Sequence, residues 1–172
     1  YNPYMEKYRK EGNIKFPFFL TPDKHYVGVA WYQKKVTIPA DWKGERITLF
    51  LERPHIETTV WVNQQELGMQ NSLCVPHVYD LTAATTPGKT YLITIRIDNR
   101  IKEINVGPDS HSITDQTQGN WNGIVGRIEL QATPKVHLED IQVYPDLSNQ
   151  KALVRMNIRS ASSTKGEITL SA

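Results

Sequence analysis

The stretch Gly28-Val29-Ala30-Trp31-Tyr32-Gln33-Lys34-Lys35-Val36-Thr37-Ile38-Pro39 decides the fold class. Val, Thr and aromatic residues fill it and Pro39 stops it, so it reads as a β-strand. The same grammar repeats downstream. From Arg46 to Glu52, Ile47, Leu49 and Leu51 share one face. Ile56, Thr58, Val60 and Val62 share another, with Trp61 opposite. The polar run Asn63-Gln64-Gln65-Glu66 before Leu67-Gly68 predicts a hairpin. Val75 to Leu81 contains Pro76 and reads as an edge strand or a bulge. Thr82 to Lys89 is a loop, with Pro87-Gly88 as its turn chemistry. Tyr91, Ile93, Ile95 and Ile97 alternate most cleanly, and Ile124 to Leu130 resumes a strand after a long polar gap. No segment predicts an amphipathic helix.

Composition agrees. The 172 residues hold 42 Val, Ile and Thr against 20 Ala and Leu, which favours strands. This length allows one full domain and part of another, and it excludes a (β/α)₈ barrel of roughly 200–250 residues or more. A lone cysteine, Cys74, excludes an intrachain disulfide and a cysteine zinc cage. No apolar run of about 18 residues occurs, so no membrane-spanning helix is expected. The net charge of +2 is spread along the chain and leaves no nucleic-acid footprint. Tyr1-Asn2-Pro3-Tyr4-Met5 lacks the pattern of a signal peptide and reads as an interior cut or a processed end.

Two segments stand apart from the alternating strands. Residues 1–25 carry Tyr1, Tyr4, Tyr8, Phe16, Phe18 and Phe19 between prolines and read as an extended arm pinned by aromatic side chains. Beyond a boundary at Thr133-Pro134, the segments Val136-Leu138, Ile141-Val143, Ala152-Ile158 and Ile168-Leu170 predict three or so further strands. That is too few for a sandwich of about 100 residues. The expected organisation is therefore a jelly-roll-like unit over 1–134 and an incomplete second unit over 135–172.

Catalytic signatures are absent: there is no nucleophile elbow, H-E-x-x-H or P-loop. The five histidines are scattered, and no ligand string for zinc or calcium occurs, so no cofactor is expected. Glu139 and Asp140 are neighbours on opposite strand faces and cannot act as an acid–base pair. Cys74 reads as a small buried hydrophobe. The polar stretch Gly107 to Gly123 is different. It gathers His111, Asp115, Gln118, Asn120 and Trp121. A sugar needs this inventory: an indole face for C–H groups, with amides, a carboxylate and an imidazole for hydroxyls. The alternative is a core-plugging Trp121 in a solvated loop.

Several of these stretches, in order, resemble glycoside hydrolase family 2 over about residues 16–134. The 28–39 strand resembles that family's G-x-x-W-Y strand. Ile56 to Asn63 resembles its V-N-G hairpin, with Gln64 in place of the usual Gly. Asn120-Trp121-Asn122-Gly123-Ile124-Val125-Gly126-Arg127-Ile128 is similar to its loop ending in G-I-x-R. The resemblance implies an all-β fold: a galactose-binding-like jelly-roll sandwich followed by the opening strands of an immunoglobulin-like sandwich. In the family a catalytic barrel follows and hydrolyses β-galactosides, β-glucuronides and related links with two glutamates, one preceded by Asn. No Asn-Glu dipeptide occurs here, so this segment is expected to carry no catalytic carboxylate. Family members extend a loop to the substrate, with an Asp six residues before the Gly of G-I. Here that position is Thr117, and the nearest carboxylate is Asp115. Either Asp115 takes the role in a rearranged loop or the substrate differs.

The expected function is a non-catalytic sugar-binding domain of a retaining β-glycosidase, packed on the barrel of its parent. Its partners would be a β-linked glycan and that barrel, with neither nucleic acid nor membrane. Periplasmic or secreted localisation follows from the resemblance alone. Two alternatives stay open: an autonomous lectin-like module, and a structural or homo-oligomerising domain.

Overall fold

A strand with period-two patterning has one apolar face to bury, and here two antiparallel sheets bury theirs against each other. The computed structural model describes residues 26–100, 102, 121–160, 165–167 and 169. Among the described residues nine strands run in chain order: β1 (Val29–Thr37), β2 (Arg46–His55), β3 (Glu57–Val62), β4 (Gln65–Asn71), β5 (His77–Asp80), β6 (Thr90–Asp98), β7 (Gly123–Thr133), β8 (Val136–Asp146) and β9 (Lys151–Ser160). One sheet has the order β1-β6-β3-β4 and the facing sheet the order β5-β2-β7, while β8 and β9 form a two-stranded sheet among the described residues. The one helical element among the described residues is a 3₁₀ turn at Ala40–Trp42.

The predicted alternation supplies the core. Ile47, Leu49 and Leu51 of β2 meet Val60 and Val62 of β3 and Ile93, Ile95 and Ile97 of β6, all at most 5% exposed. Ile38, Tyr79 and Leu81 complete the cluster. Each such side chain contributes about 1.5–3 kcal/mol on burial. A polar tie crosses the two sheets. The Tyr79 hydroxyl donates to the Thr58 carbonyl at 2.8 Å, and His77 Nδ1 lies 2.6 Å from Thr58 Oγ1. His77 Nε2 lies 3.1 Å from the Ser72 carbonyl, so the carbonyl accepts the Nε2 proton and Nδ1 accepts from the Thr58 hydroxyl. On the open side, between β1 and β7, Tyr32, Val36, Leu49, Ile93, Ile95 and Ile128 help line a groove of about 620 Å³.

The hairpin forms between β3 and β4. Without a Gly in the turn, Asn63 takes the left-handed conformation at φ 52°, which Asn tolerates better than most residues. Its side-chain oxygen accepts the Leu92 amide at 2.9 Å. β5 is an edge strand beginning directly after Pro76. Two readings are corrected. Cys74 is exposed, because it falls in the β4–β5 connection, where its amide donates to Ser72 Oγ at 3.2 Å. The segments 136–138 and 141–143 are one strand, since a register shift between Leu138 and Asp140 breaks the alternation without ending the pairing to β9. The predicted arm over 1–25 and the strand at 168–170 lie outside the described residues.

Candidate functional site

The connection from β6 to β7 runs from Asp98 to Gly123 and contains the polar stretch 107–123. Its two ends are joined by side chains. Asn99 Oδ1 accepts the Gly28 amide at 2.8 Å, and Asn99 Nδ2 donates to the Tyr26 carbonyl at 2.7 Å. The same amide also donates to Asn122 Oδ1. One residue thus links the approach to β1, the end of β6 and the start of β7. These residues enclose a small cavity of about 120 Å³, with Ala30 and Tyr32 in its wall. Gly123, at φ +75°, lies against the Tyr32 hydroxyl, where any Cβ would collide.

Beside this knot sits a charged cluster. Asp98 is fully buried, although its strand parity points it away from the core. Arg96, Arg100 and Lys102 fold over it, at 2.9, 2.7 and 2.9 Å from Oδ2. Glu57 accepts from Arg96 at 2.8 Å and from Lys102 at 2.9 Å. The hydrogen bond from Arg100, helped by Lys102, holds the Asp98 carboxyl well below the ordinary carboxylate range, against a smaller opposing effect of burial. Burial pushes Glu57 up, but the bonds from Lys102 and Arg96 outweigh it and its pKa is lowered. Both carboxylates are therefore ionised at neutral pH and bound to cations, which suits anchoring rather than proton transfer.

Trp121 is partly buried. Its indole N–H donates to the Arg53 carbonyl at 3.1 Å, and its ring meets buried His55 edge-on with centroids 5.2 Å apart. Further along β7, Gly126 at φ +89° lies against Glu52. Glu52 Oε2 accepts the Arg127 amide at 2.9 Å and its Nε at 3.2 Å. Of the residues predicted for sugar contact, Trp121 alone is described. His111, Asp115, Gln118 and Asn120 lie outside the described residues. Sequence reasoning missed Asn99, Asn122, His55 and the cations around Asp98. The signal was the compact triplet Asp98-Asn99-Arg100 at the end of the cleanest strand, where polar side chains can serve backbone groups left by the ladder. No group of three or more His, Cys, Asp or Glu that could hold a metal ion occurs among the described residues.

A family model described as glycosyl hydrolases family 2, sugar binding domain, matches residues 4–134. The chain is 23% identical over 159 residues to a β-glucuronidase of Paenibacillus borealis, covering 84% of this chain and 26% of that protein. It is 25% identical over 150 residues to a β-galactosidase of Priestia megaterium, covering 83% and 14%. A solved Faecalibacterium prausnitzii β-glucuronidase matches the fold with a TM-score of 0.63 at 26% identity, over 79% of this chain and 27% of that one. The chain spans about a quarter or less of the length of these relatives.

Proposed function

The chain belongs to glycosyl hydrolase family 2 through that family's sugar binding domain, and on that premise we propose that it is the non-catalytic, substrate-side domain of a retaining β-glycosidase. The barrel of that enzyme would supply both carboxylates of the retaining scheme. This domain would pack on the barrel and lend it the 107–123 loop, with Asp115, Gln118, Asn120 and Trp121 meeting sugar hydroxyls and ring, and His111 behind them. Residues 1–134 would form the sugar-binding unit. Residues 135–172, including the β8–β9 pair, would open an immunoglobulin-like sandwich.

One observation carries the reading: the Asn99 knot draws together the two ends of the β6–β7 connection that contains the loop. A loop that contributes to rate must hold its contacts within a fraction of an ångström, and a rigid base supplies that. Such contacts add remote binding energy and orientation while the chemistry proceeds on the barrel.

The test is kinetic, in the full-length enzyme. Asp115→Ala and Trp121→Ala should each lower kcat/KM on the natural glycoside by about tenfold or more. An aryl glycoside with the same sugar should suffer comparably, because the contacts are to the glycone. Unchanged kinetics on both substrates would overturn the assignment.

A further inference from the structure

The face of β1 turned away from the core presents Trp31, Gln33 and Lys35 at two-residue steps, roughly 7 Å apart along a strand. Trp31 is 60% exposed. Its ring centroid lies 5.6 Å from that of Trp61 on β3, with the planes inclined by 34°. β6 runs between the two strands, and its outward Thr94 is only 7% exposed. Gln33 Nε2 donates to Thr94 Oγ1 at 3.0 Å, which fixes the amide and leaves its oxygen to accept another proton. Lys35 is exposed and forms no ion pair among the described residues.

These are complementary to one kind of molecule. A β-linked pyranose with equatorial hydroxyls has an apolar face of axial C–H groups that stacks on indole. Its rim of hydroxyls matches a fixed amide. The Lys35 ammonium is a point charge with three donors and no carboxylate partner among the described residues, and the carboxylate of a uronic acid is its natural complement. The apolar part of the face is the two indoles, with Leu92 and exposed Met69 the other apolar side chains of the same parity and the Arg96–Glu57 pair beside the indoles. That is a small footprint beside the roughly 800 Å² per partner of a stable protein interface.

We propose that Trp31, Trp61, Gln33 and Lys35 form a second glycan-binding site that takes a β-linked chain carrying uronate carboxylates. Trp31 and Trp61 stack a sugar ring, Gln33 accepts from a hydroxyl, and Lys35 meets a carboxylate. The site shares no residue with the Asn99 knot or with the residues proposed for sugar contact in the 107–123 loop, so it stands whether or not that loop touches substrate.

The test uses the full 172-residue chain, titrated by calorimetry and tryptophan fluorescence with a β-1,4-glucuronan tetrasaccharide and with cellotetraose. The glucuronan should bind saturably, and cellotetraose up to about fivefold more weakly, the range of one exposed ion pair. Raising the salt should remove that preference. Trp31→Ala should weaken both sugars by about tenfold, with Trp31→Phe in between. Lys35→Gln, a surface change that leaves the fold intact, should bring the glucuronan down to the affinity of cellotetraose. Absence of saturable binding, wild-type affinity in Trp31→Ala, or an undiminished preference in Lys35→Gln would each overturn the proposal. So would self-association of the chain that Trp31→Ala abolishes without any glycan binding, since the face would then be a protein contact.

Discussion

Asp98 shows what a single residue does here. A carboxylate of outward parity on β6 would ordinarily face water, yet three cations close over it and bury it. Because Arg100 and Lys102 depress its pKa, the folded state prefers the ionised form. That preference adds stability above the ordinary Asp value of about 3.9, and the contribution is lost as the pH falls below it toward the depressed folded value. Asp98→Asn should therefore lose about 1–3 kcal/mol at neutral pH, since it leaves the cations without their shared acceptor. Its urea midpoint should also fall less steeply below pH 4 than the wild type's, as equilibrium unfolding at several pH values will show. The residue itself was legible in the sequence as the end of an alternating strand. Its burial was not, because it depends on Arg96, Arg100 and Lys102 converging from positions that parity alone places at the surface or in a loop.

β7 shows how an element is shaped. Opposite Glu52 the pairing of β2 and β7 skips a step, so that Leu51 faces Ile128 while Arg53 faces Val125. Two residues of β7, Gly126 and Arg127, stand against one of β2, which is a β-bulge with glycine in the left-handed position. The Arg127 amide is satisfied by the Glu52 side chain, at 2.9 Å. Hydrogen bonds from the Arg127 amide and side chain hold the Glu52 pKa below its usual value. Gly126→Ala must accept φ near +89° and a Cβ 2.6 Å from the Glu52 carboxylate. It should cost about 1–2 kcal/mol and lower the thermal midpoint, with Glu52 the first group displaced. A Gly126→Ala chain that melts with the wild type would show that the bulge relaxes freely. The strand was predicted from Ile124 to Leu130, but nothing in its alternation marks where the extra residue falls, because the bulge exists only relative to β2.

At the scale of the whole molecule, the two sheets are held by an apolar core and by a buried polar tie across it. His77 is 1% exposed, and burial lowers its pKa below the ordinary value despite its contact with the Ser72 carbonyl. The folded state thus favours neutral imidazole. The stability this adds is present above about pH 6.5 and lost as the pH falls through that value toward the depressed folded pKa. Wild-type stability should decline between pH 7.5 and pH 5, a window separate from that of Asp98, and His77→Gln should flatten that decline in urea titrations. The partners of His77, Thr58 and Ser72, are 19 and 5 residues away, a pairing that only the closing of the sandwich makes. The sequence by itself determined the all-β class, most of the strands and most of the core, because period-two alternation is a local property that each strand displays alone. It also determined the family, through motifs spread along the chain. Only the tertiary structure decided that Asn99 ties the two ends of the β6–β7 connection, that Asp98 is buried, and that Trp31 and Trp61 share one outward face. Those facts depend on strand order and register, which join residues far apart in the chain and leave no trace in any single segment.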